Sequence, residues 1–541
     1  MKRSVKITLW VFGSLVVLVF ALFLSADIIA SLLVKREVSK TFDRLPNADA
    51  MVGGIYLNLL SGSAIVKDIT FSTNSLTLED EETNDRAPGL AMHIPTLSIW
   101  NINYVELFRR RRLSIFKVTV DDPQVLVFLD EDHPESILPT FPKDSTLDKA
   151  QSWLKHLEIR HIEMDDLCAR MRSTHSPLRL ATDSLSAECH DIAYDFTDSV
   201  FTYNDSVYQL TLATARINLP DGLMAIEAHS FATEDQGPLA LGYTRIRNTV
   251  THKQMADLAQ EPVTWIDLEL NSLSTSPLNP IRKVLAQDCT LDSVRVDVKR
   301  MHVIRDERLK PKKPFGTPQQ FLRQVPLIFQ INYVEALARK IDVDLFTTDV
   351  NCGKMRCNNI RAWLTNVTNR PGAVWHNRVK APFSGKGMVN AHYDIHMDKA
   401  SSFDLTLSGK DLELGDLNPF IRPLVGVTFT CHVDQIDASY KGDQSAAHGT
   451  FGFLYHGLDV RVHKEDNIPY KVVTNYADFF TSVANSLIPK SNPTAVDIHP
   501  RRYSVEWTRD EWSPYPLYLF GPCIDGIKKT MLPGLYVHKQ I

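Results

Sequence analysis

The feature that most limits how this chain can fold is a period of two in its apolar residues. It appears at Ile55, Leu57 and Leu59, at Leu76 and Leu78, and at Val125, Val127 and Leu129. It returns at Phe403, Leu405 and Leu407, at Phe451, Phe453 and Tyr455, and at Tyr503, Val505 and Trp507. Neighbouring side chains of a strand point to opposite faces, so this spacing predicts strands with one dry face and one wet face. Gly, Asn, Asp and Pro residues punctuate the runs and supply the turns between them. The chain is therefore expected to be mainly β over nearly its whole length.

One segment repeats. Leu113 to Asp122 (LSIFKVTVDD) is matched about 44 residues on by Leu157 to Asp166 (LEIRHIEMDD). In each copy two apolar residues alternate, the phase slips by one residue, and alternation resumes before an acidic pair. A bulge explains the slip, because one extra residue switches which side chains face the core. Similar strands added in succession suggest an extended sheet rather than a closed enzyme fold. Period alone fits two architectures. One is a sandwich whose dry faces meet, which the pattern favours; the other is a sheet that curls without closing and leaves an apolar trough suited to acyl chains.

Four segments depart from the strand pattern. Ile7 to Ala26 is an uncharged apolar run, and about 20 residues rising 1.5 Å each span the roughly 30 Å core of a bilayer. The run is longer than a signal-peptide core and no Ala-x-Ala follows Phe23, so an uncleaved transmembrane anchor is expected over 7–34. Its apolar residues are Leu9, Trp10, Val11, Phe12, Leu15, Val16, Val17, Leu18, Phe20, Leu22 and Phe23. Lys2, Arg3 and Lys6 precede it and Lys35, Arg36 and Lys40 follow, so charge does not orient it. The basic, proline-rich run from Lys310 to Gln319 (KPKKPFGTPQ) reads as a linker. With a short helix it fills 310–325, between β-rich parts over 35–309 and 326–541. Tyr476, Phe479, Phe480, Val483, Ala484, Leu487 and Ile488 fall at helical spacing before Pro489, and Phe520, Ile524, Ile527 and Met531 do so beside Lys528 and Lys529. These predict short amphipathic helices that pack on a sheet or lie on a membrane.

Chemistry is sparse in the sequence. A net charge of −5 on 541 residues offers no basic footprint for nucleic acid. The seven cysteines are scattered and lack the close pairs of zinc sites, so buried free thiols are expected. Phosphate-loop, HExxH and nucleophile-elbow motifs are absent. His156 and His161, near Asp165 and Asp166, form the densest His and carboxylate group, but a separation of five puts the two histidines on opposite strand faces. No catalytic residue, metal ligand or cofactor is expected. Arg109 to Arg112 reads as a basic turn facing solvent or lipid headgroups.

The stretch Leu113 to Leu129 (LSIFKVTVDDPQVLVFL) resembles the AsmA-like family in its order of alternating apolars, acidic residue, proline and second alternating strand after an N-terminal anchor. The resemblance continues at Gly353 to Asn369, Gly449 to Leu458 and Ser491 to Pro493. At Arg509-Asp510 and Gly526 to Lys529 it is similar to the C-terminal end of AsmA-like proteins of Bacteroidota. It implies a long curved antiparallel sheet forming an open β-taco groove of the bridge-like lipid-transfer type. It also implies residues 1–6 in the cytoplasm, an inner-membrane anchor and the bulk in the periplasm. The expected role is to hold or move phospholipid toward the outer membrane, with no enzymatic step, and Leu405, Phe453 and Val505 are candidate groove-lining residues on one face. The chain is short for a conduit between two membranes. The alternative is therefore an envelope scaffold or outer-membrane protein assembly factor acting through a protein partner at exposed sheet edges.

Overall fold

The computed structural model describes residues 26–40, 48–80, 87–130, 154–195, 200–219, 221–234, 237–278, 289–325, 328–383, 385–463, 488–493 and 501–531. The expected anchor residues Leu9 to Phe23 lie outside them, as does nearly all of the helix expected over 476–488. The chain is mainly β and divides into two compact units, Met1–Leu241 with Pro277–Arg282 and Gly242–Ser276 with Lys283–Ile541.

The first unit begins with helix α1 over 26–40. Its strands are β1 (Ala48–Asn58), β2 (Ser63–Thr73), β3 (Gly89–Trp100), β4 (Arg112–Asp121), β5 (Gln124–Leu129), β6 (His156–Ser173), β7 (Arg179–Asp195), β8 (Val200–Asn218), β9 (Met224–Glu234) and β10 (Pro238–Leu241), with helix α2 (Tyr104–Arg110) before β4. The sheet is mixed rather than antiparallel throughout. β4 and β5 both pair antiparallel with β3 but parallel with β6. The parallel pair joins the two copies of the sequence repeat residue for residue, with Leu113 against Leu157, Ile115 against Ile159, Val118 against Ile162 and Val120 against Met164.

A line of unusual backbone crosses this sheet. Asp68, Asp122, Asp166, Ser184 and Ser230 have φ of 52°, 50°, 57°, 56° and 57°, the left-handed region that short polar side chains tolerate better than other residues with a Cβ. The register places these residues beside one another. Gly53 of β1 faces Asp68, Asp68 faces Pro95 of β3, and Pro95 faces Asp122. Asp122 is in register with Asp166, and the Ser184 hydroxyl bonds the Asp166 carboxylate. Ser184 faces Ala213, and Ala213 faces Ser230. Glycine is needed at 53 because a Cβ there would sit 2.8 Å from the Asp68 Cβ. Pro95 lacks an N–H and is tolerated where the ladder is already interrupted. Across the line apolar positions step by three rather than two, as from Val66 to Ile69, Leu97 to Ile94 and Met164 to Leu167. That step is what an extra, bulged residue produces. The acidic pairs that close both sequence repeats are thus conformational. Their second residues, Asp122 and Asp166, make the crease.

The phase slip inside each repeat has a related cause. Phe116 and Arg160 occupy the slipped position in β4 and β6, and Asp191 of β7 lies opposite Arg160 with φ of 49°. β4 and β6 slip together, so the register between them does not shift. The shifts appear one strand on, between β7 and β8 at Cys189, His190 and Ala193.

The second unit contains β11 (Thr244–Asn248), β12 (Val263–Pro277), β13 (Cys289–Asp306), β14 (Phe329–Phe346), β15 (Cys352–Thr368), β16 (Val374–Phe383), β17 (Gly387–His396), β18 (Phe403–Glu413), β19 (Val427–Gly442), β20 (Ala446–Val462) and β21 (Arg502–Thr508). Neighbours in this order pair antiparallel except β13 and β14, which run parallel. Helices α3 (His252–Ala259), α4 (Pro318–Arg323), α5 (Asn418–Val425) and α6 (Tyr515–Met531) accompany them. α6, expected from Phe520 onward, starts at Tyr515 and packs on β20 and β21. Gly526 allows the approach, since a Cβ there would lie 2.2 Å from the Phe451 ring. Beneath α6 is the main buried core, with Phe403, Leu405, Val433, Tyr440, Phe451, Phe453, Tyr455 and Val505.

The Lys310 to Gln319 run is not a loose tether between parts. Thr317 caps α4 and bonds the Ser401 hydroxyl at 3.0 Å, and buried Gln319 donates to the Ser401 carbonyl at 3.2 Å. Composition alone does not reveal those buried hydrogen bonds. The compact units divide at Leu241 and Gly242 and again on either side of Pro277–Arg282. All seven cysteines are free, and burial first, with Glu413 and Asp434 second, pushes the Cys431 thiol up to about 12.

The crease generates a stability prediction. Valine at Asp68 or Asp166 places a β-branched residue at positive φ and should cost about 1–3 kcal/mol in chemical denaturation, whereas glycine at either position should cost far less.

Candidate functional site

Two rows of apolar side chains run across the first unit's sheet, assembled by register from strands distant in sequence. One row is Ile55, Val66, Leu97, Val120, Met164, Ala187 and Leu210. The next is Leu57, Ala64, Ile99, Val118, Ile162 and Cys189. With strands spaced about 4.8 Å apart, seven strands carry the first row over roughly 29 Å. Ile55 and Ala64 are buried and all the others are only half-buried. Among the described residues, the buried apolar cluster of this unit is confined to the β5 side of the crease, at Leu76, Ala91, Leu126 and Phe128. Among the described residues no such cluster covers the two rows.

The residues between these positions form polar rows on the opposite face. Ser98, Thr119, Glu163, Glu188 and Gln209 make one, and Lys117, His161 and His190 make another. Lys117 pairs with Glu163, and that hydrogen bond holds the Glu163 carboxyl below its ordinary range against the opposing effect of burial. Asp165 is shifted upward, first by burial and then by the neighbouring carboxylates of Glu163, Asp121 and Asp166. From β4 to β8 this part of the sheet therefore has one polar face and one apolar face, while Ile65 and Tyr56 continue the first polar row onto β2 and β1.

At one end of the strip three elements meet. α1 lies along the outer edge of β1, where the Leu59 N–H donates to the Asp27 carboxylate at 2.8 Å and the Leu57 N–H to the Ser31 hydroxyl at 2.9 Å, while Lys35 donates to the Gly53 carbonyl. Positions 27, 31 and 35 form one helical stripe at i, i+4 and i+8, which covers backbone groups that an edge strand otherwise leaves open. Positions 27–34 of the expected 7–34 anchor belong to this helix, and Leu9 to Phe23 lie outside the described residues. Among the described residues no helix is long and apolar enough to cross a membrane. The β1–β2 turn is tied to the approach to α2 by the Ile102 N–H, which donates to the Gly62 carbonyl at 2.7 Å. Burial and then the Asp27 charge raise the Tyr104 phenol, which places the start of α2 near the start of α1. Around this junction Ile28, Ile29, Leu32 and Leu33 of α1, Leu60 of the turn, Trp100, and Val105 and Phe108 of α2 are exposed. Arg109, Arg110 and Arg111 are exposed beside them.

The residues singled out from the sequence are placed differently. Leu405, Phe453 and Val505 share one buried cluster, at 4%, 1% and 2% exposure, and α6 closes over it. They line a sealed core rather than an open trough, because a covering helix is invisible to strand period. His156 lies 3.7 Å from the Asp195 carboxylate, while His161 faces His190, a neighbour that sequence distance conceals. The second unit holds a cavity of about 740 Å³ between β14 and β17, lined by Tyr333, Trp363, His376, Arg378, Lys380 and His392. Its lining is more cationic than the apolar strip. The strip itself went unrecognised because its rows depend on strand pairing, and the one signal that pointed to it was the repeat whose copies supply Val118, Val120, Ile162 and Met164.

No model of a known protein family matches the chain, and no curated protein sequence matches it.

The docking of α1 is testable. Asp27→Ala with Ser31→Ala removes both acceptors from the β1 edge and should cost about 1 kcal/mol per lost bond. It should also promote self-association through the freed edge, read by denaturation and analytical ultracentrifugation.

Proposed function

We propose that this chain is a non-enzymatic, inner-membrane-anchored envelope protein that holds phospholipid acyl chains along the apolar strip of its first unit and passes them toward the outer membrane. The observation that carries this reading is the strip itself, one apolar row crossing the strands from β1 to β8 and a second reaching β7, with no buried cluster over them among the described residues. A buried methylene is worth about 0.8 kcal/mol, so an acyl chain needs no specific polar contact to be held there. The resemblance to AsmA-like proteins and the uncharged run from Ile7 to Ala26 agree with an anchored chain whose bulk lies in the periplasm. The exposed apolar residues of α1 and α2, beside Arg109 to Arg111, suit the boundary between acyl chains and anionic headgroups. In this arrangement the strip starts beside the membrane that supplies the lipid. The scaffold reading draws on free sheet edges, and the capping of β1 by α1 removes one of them.

The test uses the full chain extracted in detergent, with retained phospholipid measured by mass spectrometry. Val118→Asp with Ile162→Asp puts two charges in the middle of the strip on half-exposed positions. The double variant should keep its circular dichroism and lose most of the phospholipid that the wild-type chain retains. Equal lipid in the two proteins overturns the proposal.

A further inference from the structure

We propose that His161, Glu188 and His190 form a metal site for a divalent transition ion of the zinc class, on the polar face of the sheet opposite the apolar strip. β6 and β7 pair so that His161 is directly opposite His190, and Glu188, two residues before His190, projects from the same face. The His161 Nδ1 lies 3.1 Å from the His190 Nε2, the His190 Nε2 lies 2.9 Å from the Glu188 Oε1, and the His161 Nδ1 lies 3.5 Å from that same oxygen. Zinc binds nitrogen and oxygen ligands at 2.0–2.1 Å, and a tetrahedron of that size has edges of about 3.3–3.4 Å. The three separations bracket that edge, so one ion fits at bonding distance from all three atoms.

Hydrogen bonding alone serves this triangle poorly. The His190 Nε2 carries at most one proton, yet two acceptor-capable atoms, the Glu188 oxygen and the His161 nitrogen, face it within 3.1 Å. One N–H must then be divided between them, or two N–H groups must oppose each other. A cation instead takes a lone pair from each of the three. The surrounding charges permit it. Lys117, opposite His161 in the row of the two histidines, is occupied by Glu163, so the Glu188 carboxylate is left for the ion. The side chains of His161, Glu188 and His190 are 18%, 35% and 27% exposed, which leaves the fourth position open to water or an external ligand. An ion here fastens β6 to β7 beside the left-handed bend at Asp191.

A second group, His432, Asp434 and His456, provides an internal comparison. There the His432 Nδ1 is already bonded to Glu413 at 2.6 Å, and its Nε2 is 3.8 Å from Asp434. The experiment uses the full chain in detergent, freed of metal by chelator dialysis and titrated with Co²⁺ and then Zn²⁺. We expect one Co²⁺ per chain with the intense visible absorption of a tetrahedral site, displaced by Zn²⁺. It should be lost in His161→Asn with His190→Asn and kept in His432→Asn with His456→Asn. Glu188→Gln keeps the side-chain shape, should leave circular dichroism unchanged, and should lower affinity by more than the roughly 10–100-fold cost of losing a supporting partner alone. The proposal is overturned if the wild-type chain binds no Co²⁺ by equilibrium dialysis, if the His161 and His190 double variant binds as the wild type does, or if Glu188→Gln leaves affinity unchanged.

Discussion

The first unit depends on a backbone constraint rather than on a packed core. A long strand with one apolar face must keep that face aligned as it bends, and each bend inserts a residue that reverses the alternation. Asp68, Asp122, Asp166, Ser184 and Ser230 meet this requirement together, since each adopts the left-handed conformation beside its neighbour's interruption. Gly53 and Pro95 fill the same line with the two residue types that suit a missing Cβ and a missing N–H. The second unit repeats the device where Gly387 of β17 faces Asp411 of β18, whose φ is 54°. A Cβ at 387 would stand 2.5 Å from the Asp411 carbonyl oxygen.

The two units turn the same alternation to different ends. In the second, α6 lies over β20 and β21 and seals Leu405, Phe453 and Val505 in a core of large aromatic side chains. In the first, corresponding apolar rows stay half-buried from β3 to β7. Whether a strand's dry face is closed or open is decided by what is laid on it. That difference leaves the first unit with half-buried apolar rows and gives the second a closed core.

Strand content was legible from the sequence because period two is a local property, and so was α6, whose apolar stripe and basic tail are also local. The repeat was legible, and its copies proved to be adjacent parallel strands. Parallel pairing was not, because it depends on a crossover rather than on residues within β4 or β6. The acidic pairs marked only the end of each repeat, and their backbone role emerged only with the register. His161 shows the same limit: its partners Glu188 and His190 lie across a hairpin, where spacing along the chain says nothing about distance. The apolar Ile28, Ile29, Leu32 and Leu33 continued the anchor in composition. The polar stripe of Asp27, Ser31 and Lys35 between them already marked a helix with something hydrophilic on one side.

The capping of β1 by α1 bears on how a protein of this design could lengthen. A sheet grows by adding strands to an open edge, and here the first edge is occupied by side chains of the helix itself. A further strand like β4 and β6 can therefore enlarge the first unit's sheet only by insertion or away from β1, so the α1 and β1 junction is a fixed starting point from which the sheet is counted.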